Sequence, residues 1–331
     1  MVMKEKTYEK EEVFLSPYAK KSKDTAGRLK AETPCAMRTD FQRDRDRIIY
    51  SKAFLRLKNK TQVFFAPDGD HYMSRLTHTL DVSQIARSLA RCLSLNEDLA
   101  EAIALGHDLG HTPFGHVGEK VLNMLSPHGF RHSEQSLRVV DKLEKDGKGL
   151  NLTLEVRDGI LHHPKSGNPS TLEGVVVSLA DRIAYINHDI EDAIRADFLR
   201  ADELPADAIK VFGPSTSVRI NTAITDICRE SMDKPFVRMS EEKAQALDTL
   251  RAFMFERVYY RTNKLIQESA ERMLGELYEY FMKRPEELPP VYRTSLEEEG
   301  VERAVSDYLS SMTDKYAIGL FLRLFVPREG V

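Results

Sequence analysis

Apolar residues along most of this chain recur at three- and four-residue intervals, the spacing of one face of an α-helix. In "RLTHTLDVSQIARSLARCL" (75–93), Val82, Ile85, Ala86, Leu89 and Leu93 form such a stripe, and His78 lies on it four residues before Val82. In "NEDLAEAIALGHDLGH" (96–111), Leu99, Ala102, Ile103 and Gly106 share a face. His107 extends that face four residues after Ile103, Asp108 sits one residue round from it, and Asn96 is placed to cap the helix. In "LEGVVVSLADRIAYINHDIEDAI" (172–194) the face is Val176, Leu179, Ile183, Ile186 and Ile190, with Asp181, Tyr185 and Asp189 at four-residue steps along its edge. β-branched alternation is confined to "GVVVSLA", which runs on into a helical pattern. The pattern predicts an all-α protein.

Clusters of turn formers at 66–71, 126–130, 144–151, 163–170, 212–217 and 284–290 punctuate these helices, and none is long enough to be an interdomain linker. Residues 1–35, polar and lysine-rich, read as a loosely ordered N-terminal arm. Residues 36–331 read as a single helical domain, with a metal and catalytic core over about 60–205 and a C-terminal helical part over about 206–331.

Composition narrows the function. The 331 residues are 30% charged yet carry a formal net charge of only -4, so no bulk field draws the molecule to nucleic acid or membrane. Cys35, Cys92 and Cys228 are too sparse for a disulfide framework and read as small, separately buried residues of a reducing compartment. The start of the chain has no apolar signal core, and no run approaches the ~18 apolar residues of a membrane span. The expected location is cytoplasmic.

Inward-facing polar groups on three helices need a common partner, because a buried carboxylate is costly unless paired or coordinated. Each residue alone has a plainer account, a core histidine bonded to a carbonyl or a helix-surface salt bridge. Jointly, two His and two Asp supply four ligands suited to a divalent first-row metal.

The ordered set His78, His107-Asp108 and Asp181 resembles the H…HD…D signature of the HD-domain metal-dependent phosphohydrolases. "RIIYSKAFLRLKNKTQVF" (47–64), "HDLGHTPFGHVGE" (107–119), "FRHSEQSLRVV" (130–140) and "AVSDYLSSMTDKYAIGLF" (304–321) are similar to segments of deoxyguanosinetriphosphate triphosphohydrolase-like proteins, so the resemblance spans about 38–325. It implies an HD-type helical fold with additional C-terminal helices. It also implies one divalent metal ion, Mn²⁺ or Mg²⁺ with Fe, Ni, Co or Zn also compatible, held by His78, His107, Asp108 and Asp181. Water activated by the ion would attack the α-phosphorus of a dNTP, dGTP by the family's name, releasing deoxynucleoside and inorganic triphosphate.

The family's acid pair falls on His116 and Glu119, i,i+3 neighbours on a helix starting after Pro113. His111 and His132 match positions that touch phosphates. Arg75 and Arg182 match basic positions near the triphosphate, whose roughly four negative charges one divalent ion cannot neutralise. Tyr185 and Asp189 match residues that read the sugar, Asp189 accepting from the 3′-hydroxyl and Tyr185 excluding ribose. Arg251 and Tyr259 are candidate contacts to base or phosphate. His162, His163 and Lys165, in the polar turn "HHPKSG", receive no role.

Relatives of this kind assemble as homo-oligomers, tetramers or hexamers, and bind dNTP effectors and single-stranded DNA. The strip "RTDFQRDRDRIIYSKAFLRLKNK" (38–60) therefore has two readings: a solvated amphipathic helix, or an effector or DNA surface weakened by Asp40, Asp44 and Asp46. Leu55 stands where many relatives carry arginine. Competing functions are another HD phosphohydrolase, such as a 5′-deoxynucleotidase or a (p)ppGpp hydrolase, and a nucleotide sensor or single-stranded DNA-binding protein with vestigial hydrolysis.

Overall fold

The structure, a computed structural model, describes residues 3–62, 73–259 and 264–327, without the side chains of 264–266. The predicted turn at 66–71 lies outside the described residues. The helices that bear on the site are α1 (Met3–Phe14), α2 (Asp40–Ile49), α3 (Arg75–Cys92), α4 (Glu97–Gly106), α5 (Gly115–Leu125), α6 (His132–Arg138), α7 (Leu154–His162), α8 (Leu172–Arg195), α9 (Thr216–Ser231), α10 (Glu241–Met254), α11 (Lys264–Lys283), α12 (Val301–Ser311) and α13 (Asp314–Phe325). Among the described residues there is no strand, only two isolated bridges, so the all-α expectation holds.

Two compact units account for the chain, each drawn from three separated stretches. Periodicity marks which face of a helix is buried, not which helices share a core. One unit comprises Met1–Tyr50, Thr77–His107 and Leu150–Thr262. Within it Asn96 caps α4 as expected, its side chain accepting from Leu99 N at 3.2 Å. Helices α4 and α7 meet through glycine: a methyl added at Gly106 would stand 2.6 Å from Ile160 Cδ1, and one at Gly159 would stand 2.5 Å from Ile103 Cδ1. Gly159→Ala is expected to force this crossing apart and cost about 1–3 kcal/mol, read as a lower urea midpoint with unchanged slope.

The N-terminal arm, expected to be loosely ordered, is tied down by buried carboxylates. Glu11 accepts from Ser22 N at 2.7 Å and Ser22 Oγ at 2.6 Å, Glu155 from Thr25 Oγ1 at 2.8 Å and Ala26 N at 2.7 Å, and Glu173 from Lys20 N and Asn96 N, both at 3.0 Å. Composition could not reveal the anchors Glu155 and Glu173, because they lie on helices distant in sequence. Burial pushes the Glu173 carboxyl up to about 7 although the backbone amides of Asn96, Glu173 and Lys20 oppose the shift. A carboxyl raised in the folded state binds its proton more tightly there, so its stabilising contribution is full below about pH 4.5 and is lost as pH rises through 7. Glu173→Gln is expected to remove that decline, worth on the order of 3 kcal/mol, and to narrow the gap between melting temperatures at pH 5 and pH 8.

Cys92 on α3 and Cys228 on α9 form a pair with Cα atoms 6.3 Å apart, within disulfide span, although 136 residues separate them in sequence. The expectation of three separately buried cysteines is thereby corrected: Cys92 and Cys228 are paired, and Cys35 is free but only partly buried. Sequence spacing carries no information about so distant a pairing. In the same unit the arginines of the basic strip are neutralised: Arg38 by Asp46 at 2.5 Å, Arg43 and Arg47 by Glu32 at 2.8 and 2.7 Å, and Arg45 by Asp98 at 3.2 Å.

The second unit comprises Ser51–Leu76, Asp108–Gly149 and Asn263–Val331. Its core joins α5, α11, α12 and α13 through Leu122, Leu274, Leu277, Phe281, Val305, Leu309 and Ala317. Two buried charges bracket the loop that carries His111. Lys60 Nζ donates to His111 O and, at 2.8 Å, to Ser310 O. Asp314 accepts from Thr61 N at 3.0 Å and Phe114 N at 2.9 Å. The loop turns into α5 through Phe114 and Gly115, both left-handed at φ 60° and 57°. A Cβ at Gly115 would lie 3.0 Å from Gln62 O, so this reversal needs glycine on both conformational and steric grounds.

Candidate metal centre

Within the first unit, three separate helices deliver three donors to one point. His78 projects from α3, His107 follows the last residue of α4, and Asp181 lies on α8. His78 Nε2 is 3.1 Å from Asp181 Oδ1, His107 Nε2 is 3.8 Å from the same oxygen, and the two imidazole centres are 5.6 Å apart. Both histidines are 1% exposed. His107 Nδ1 lies 2.6 Å from Ala104 O, so it donates there and Nε2 carries the lone pair. Burial would raise the Asp181 carboxyl, but the His78 hydrogen bond and the neighbouring His107 hold it at about 2. Two imidazole nitrogens and an ionised carboxylate oxygen make a donor set that fits a divalent first-row cation.

Asp108 is the next residue in the chain, in the second unit, where Arg75 Nη1 donates to its Oδ2 at 2.7 Å. An expected metal ligand and an expected phosphate-binding cation are thus paired with each other. A carboxylate 4% exposed takes the guanidinium beside it, itself 2% exposed, in order to remain charged.

Glu119 organises the histidines of that unit. The sequence reading pairs it with His116, but its tightest partner is His132, whose Nδ1 is 2.9 Å and whose backbone N is 2.8 Å from Oε1. His116 Nδ1 stands 3.7 Å from Oε2 with its side chain 74% exposed, and His111 Nε2 stands 4.0 Å from that oxygen. The reason is helical geometry: an i,i+3 step brings the side chains near, while the start of α6 offers an amide and an imidazole to one oxygen. Burial would raise Glu119 and lower His132. The nearby His116 imidazole and the His132 hydrogen bond hold the Glu119 carboxyl far below its ordinary range, and Glu119 in turn raises His132. Burial first, then Arg75 and His132, keep His111 well below its usual value and hence neutral, with its ring stacked on His132 at 4.8 Å.

The expected sugar and base contacts also come together in the first unit. Arg251 Nε donates to Tyr185 Oη at 3.1 Å, and the Tyr259 hydroxyl donates to Asp189 Oδ2. Burial raises the Tyr185 hydroxyl to about 12, so it stays protonated. Arg182, next to Asp181, has its buried Nε without a hydrogen-bond partner.

Sequence reasoning gave no role to His163 and overlooked His188. His163 Nδ1 lies 2.8 Å from Ile160 O with its ring centre 5.0 Å from that of His107. His188 Nε2 is 2.7 Å from Asp81 Oδ2 and its ring centre is 6.0 Å from that of His78. The signal for His163 was present as a glycine and a histidine at the end of a short apolar helix, the pattern that also ends in His107.

Residues 75–186 match the HD domain and residues 237–323 match the Phosphohydrolase-associated domain. The chain is thus a helical hydrolase of the metal-dependent HD phosphohydrolase superfamily. It is 57% identical over 99% of its length, and 97% of the relative's, to a deoxyguanosinetriphosphate triphosphohydrolase-like protein of Caldanaerobacter subterraneus. It is 48% identical to a protein of the same description from Clostridium perfringens, covering 96% of each chain. The chain belongs to the deoxyguanosinetriphosphate triphosphohydrolase-like family. A crystal structure of a phosphohydrolase from Bacteroides thetaiotaomicron shares the fold, with a TM-score of 0.52 at 18% identity over 86% of this chain and 68% of that one. Among the described residues no helix is long and apolar enough to cross a membrane.

Proposed function

We propose that the protein hydrolyses dNTPs, dGTP among them, to deoxynucleoside and inorganic triphosphate, with one divalent ion, Mn²⁺ or Mg²⁺, held by His78, His107, Asp108 and Asp181. The observation that carries this reading is the convergence of His78, His107 and Asp181 on one point in a chain whose relatives bear the triphosphohydrolase-like description. When bound, the ion supplies Lewis-acid polarisation and acidifies water. The chain's own residues do the rest. Arg75 and Arg182 neutralise the triphosphate and His111 helps orient its phosphates, while Asp189 accepts the 3′-hydroxyl and the Tyr185 ring fills the space a 2′-hydroxyl would need. Arg251 and Tyr259 hold those two in place through the hydrogen bonds already described. As the bond between the α-phosphorus and the deoxynucleoside 5′-oxygen breaks, His116 delivers a proton to that oxygen. Glu119, fixed by His132, stands 3.7 Å from the His116 imidazole and orients it for that step. His116 is preferred to His132 as the donor because it is the exposed partner of the shared carboxylate.

Incubation with Mn²⁺ and each dNTP, singly and mixed, followed by ion-exchange chromatography, tests the proposal. Deoxynucleoside with intact triphosphate is the expected outcome. Orthophosphate or pyrophosphate would transfer the assignment to another HD phosphohydrolase such as a 5′-deoxynucleotidase or a (p)ppGpp hydrolase, and no product would favour a sensor. The mixed incubation reads out a dNTP effector, and light scattering with and without nucleotide reads out the tetramer or hexamer. The same samples probed with labelled oligonucleotide test single-stranded DNA, for which the neutralised arginines of 38–47 offer little free charge. The proposed location is cytoplasmic.

A further inference from the structure

Helices α4 and α7 end alike. Gly106 precedes His107 at the end of α4, and Gly159 sits one turn before His163, the residue that closes α7. Each histidine turns its Nδ1 back to the carbonyl three residues earlier, His107 to Ala104 O at 2.6 Å and His163 to Ile160 O at 2.8 Å. The same tautomer follows for both: Nδ1 carries the hydrogen and Nε2 the lone pair. The helices approach so closely that each glycine meets the other helix's isoleucine, Gly106 against Ile160 and Gly159 against Ile103. That approach sets the two rings 5.0 Å apart at 75° to one another, with His163 only 2% exposed. Two imidazoles bound to one ion through nitrogens about 2.1 Å from it place their ring centres roughly 5 Å apart. The His78 and His107 rings, 5.6 Å apart, meet the same condition.

We propose that His163 is a further donor to the metal centre that His107 belongs to, contributing Nε2 from the end of α7. The proposal rests on the metal reading above and adds to it a residue outside the H…HD…D signature. The Ile160 carbonyl alone would satisfy His163 Nδ1 without any close approach of α7 to α4. The paired glycines are what place this one against a ligand. Its neighbour His162 differs, being partly exposed and held by Asp158 at 2.9 Å.

His163→Asn tests the assignment cleanly, because the Asn amide can donate to Ile160 O as Nδ1 does while nothing replaces Nε2. The full-length protein, stripped with chelator and titrated with Co²⁺, is followed by its visible spectrum and by metal content after gel filtration. The wild type and His162→Ala are expected to take up one equivalent with the same spectrum. His163→Asn, folded by circular dichroism, is expected to bind 10–100-fold more weakly with an altered spectrum. Unchanged affinity and spectrum in His163→Asn would overturn the proposal while leaving the metal reading intact. A wild type that binds no Co²⁺ would overturn both.

Discussion

Asp181→Ala is expected to abolish metal binding and turnover together, whereas His116→Ala is expected to retain the ion and lose about 10²–10⁴ in kcat. The contrast follows from what each side chain does. Asp181 is the carboxylate on which His78 and His107 converge, at 3.1 and 3.8 Å, and its charge is maintained against burial. Without it, two neutral imidazoles face a dication with no compensating anion from α8. Asp108→Ala is expected to behave as Asp181→Ala does, with the added effect of releasing Arg75 from the carboxylate it pairs with at 2.7 Å. His116 stands 3.7 Å from Glu119 and is the proposed acid, so its removal is expected to cost the proton transfer and not the ion. Metal content by plasma emission, measured beside kcat for each variant, separates the two classes. Normal turnover by His116→Ala would transfer the acid role to His132, the other imidazole on Glu119.

Asp307→Ala is expected to cost about 3–5 kcal/mol of stability, the largest structural loss of any single substitution considered. Asp307 is fully buried on α12 and accepts from Arg138 Nε at 2.8 Å, Arg138 Nη2 at 2.7 Å and Gln135 Nε2 at 2.9 Å, with Arg303 Nε at 3.5 Å. Truncation takes a fully buried carboxylate away from Arg138, which keeps Glu299 at 2.8 Å, and from Arg303. The site is affected as well, because Arg138 and Gln135 lie on α6, whose first residue is His132. The expected signature is a large fall in thermal midpoint, with kcat reduced even where the protein remains folded. A melt within 2 °C of wild type would show that the buried network contributes little net stability.

Much of the site could be read before any tertiary information. The helical period placed His78 and His107 inward, and the four-residue steps aligned Asp181, Tyr185 and Asp189 on one edge of α8. Both are local properties, since a helix of 3.6 residues per turn dictates which residues share a face whatever it packs against. The order of these residues along the chain, with the flanking segments, sufficed to identify the family. Where each charge finds its partner was not local. Arg75 with Asp108, Glu119 with His132 rather than its i,i+3 neighbour His116, and Lys60 beneath the His111 loop all join residues from different helices or loops. The same holds for the N-terminal arm on Glu155 and Glu173, and for Cys92 with Cys228.

By itself, then, the sequence determined the helices, their buried faces and the chemical kind of ligand each presents, because backbone geometry and side-chain type act within a turn or two. Only the tertiary structure decided which helices share a core, which carboxylate neutralises which cation, and that Gly106 and Gly159 let α4 and α7 approach closely enough to set His163 beside His107. Those outcomes depend on steric fit and electrostatic satisfaction between residues tens to hundreds of positions apart, which no periodicity along the chain encodes.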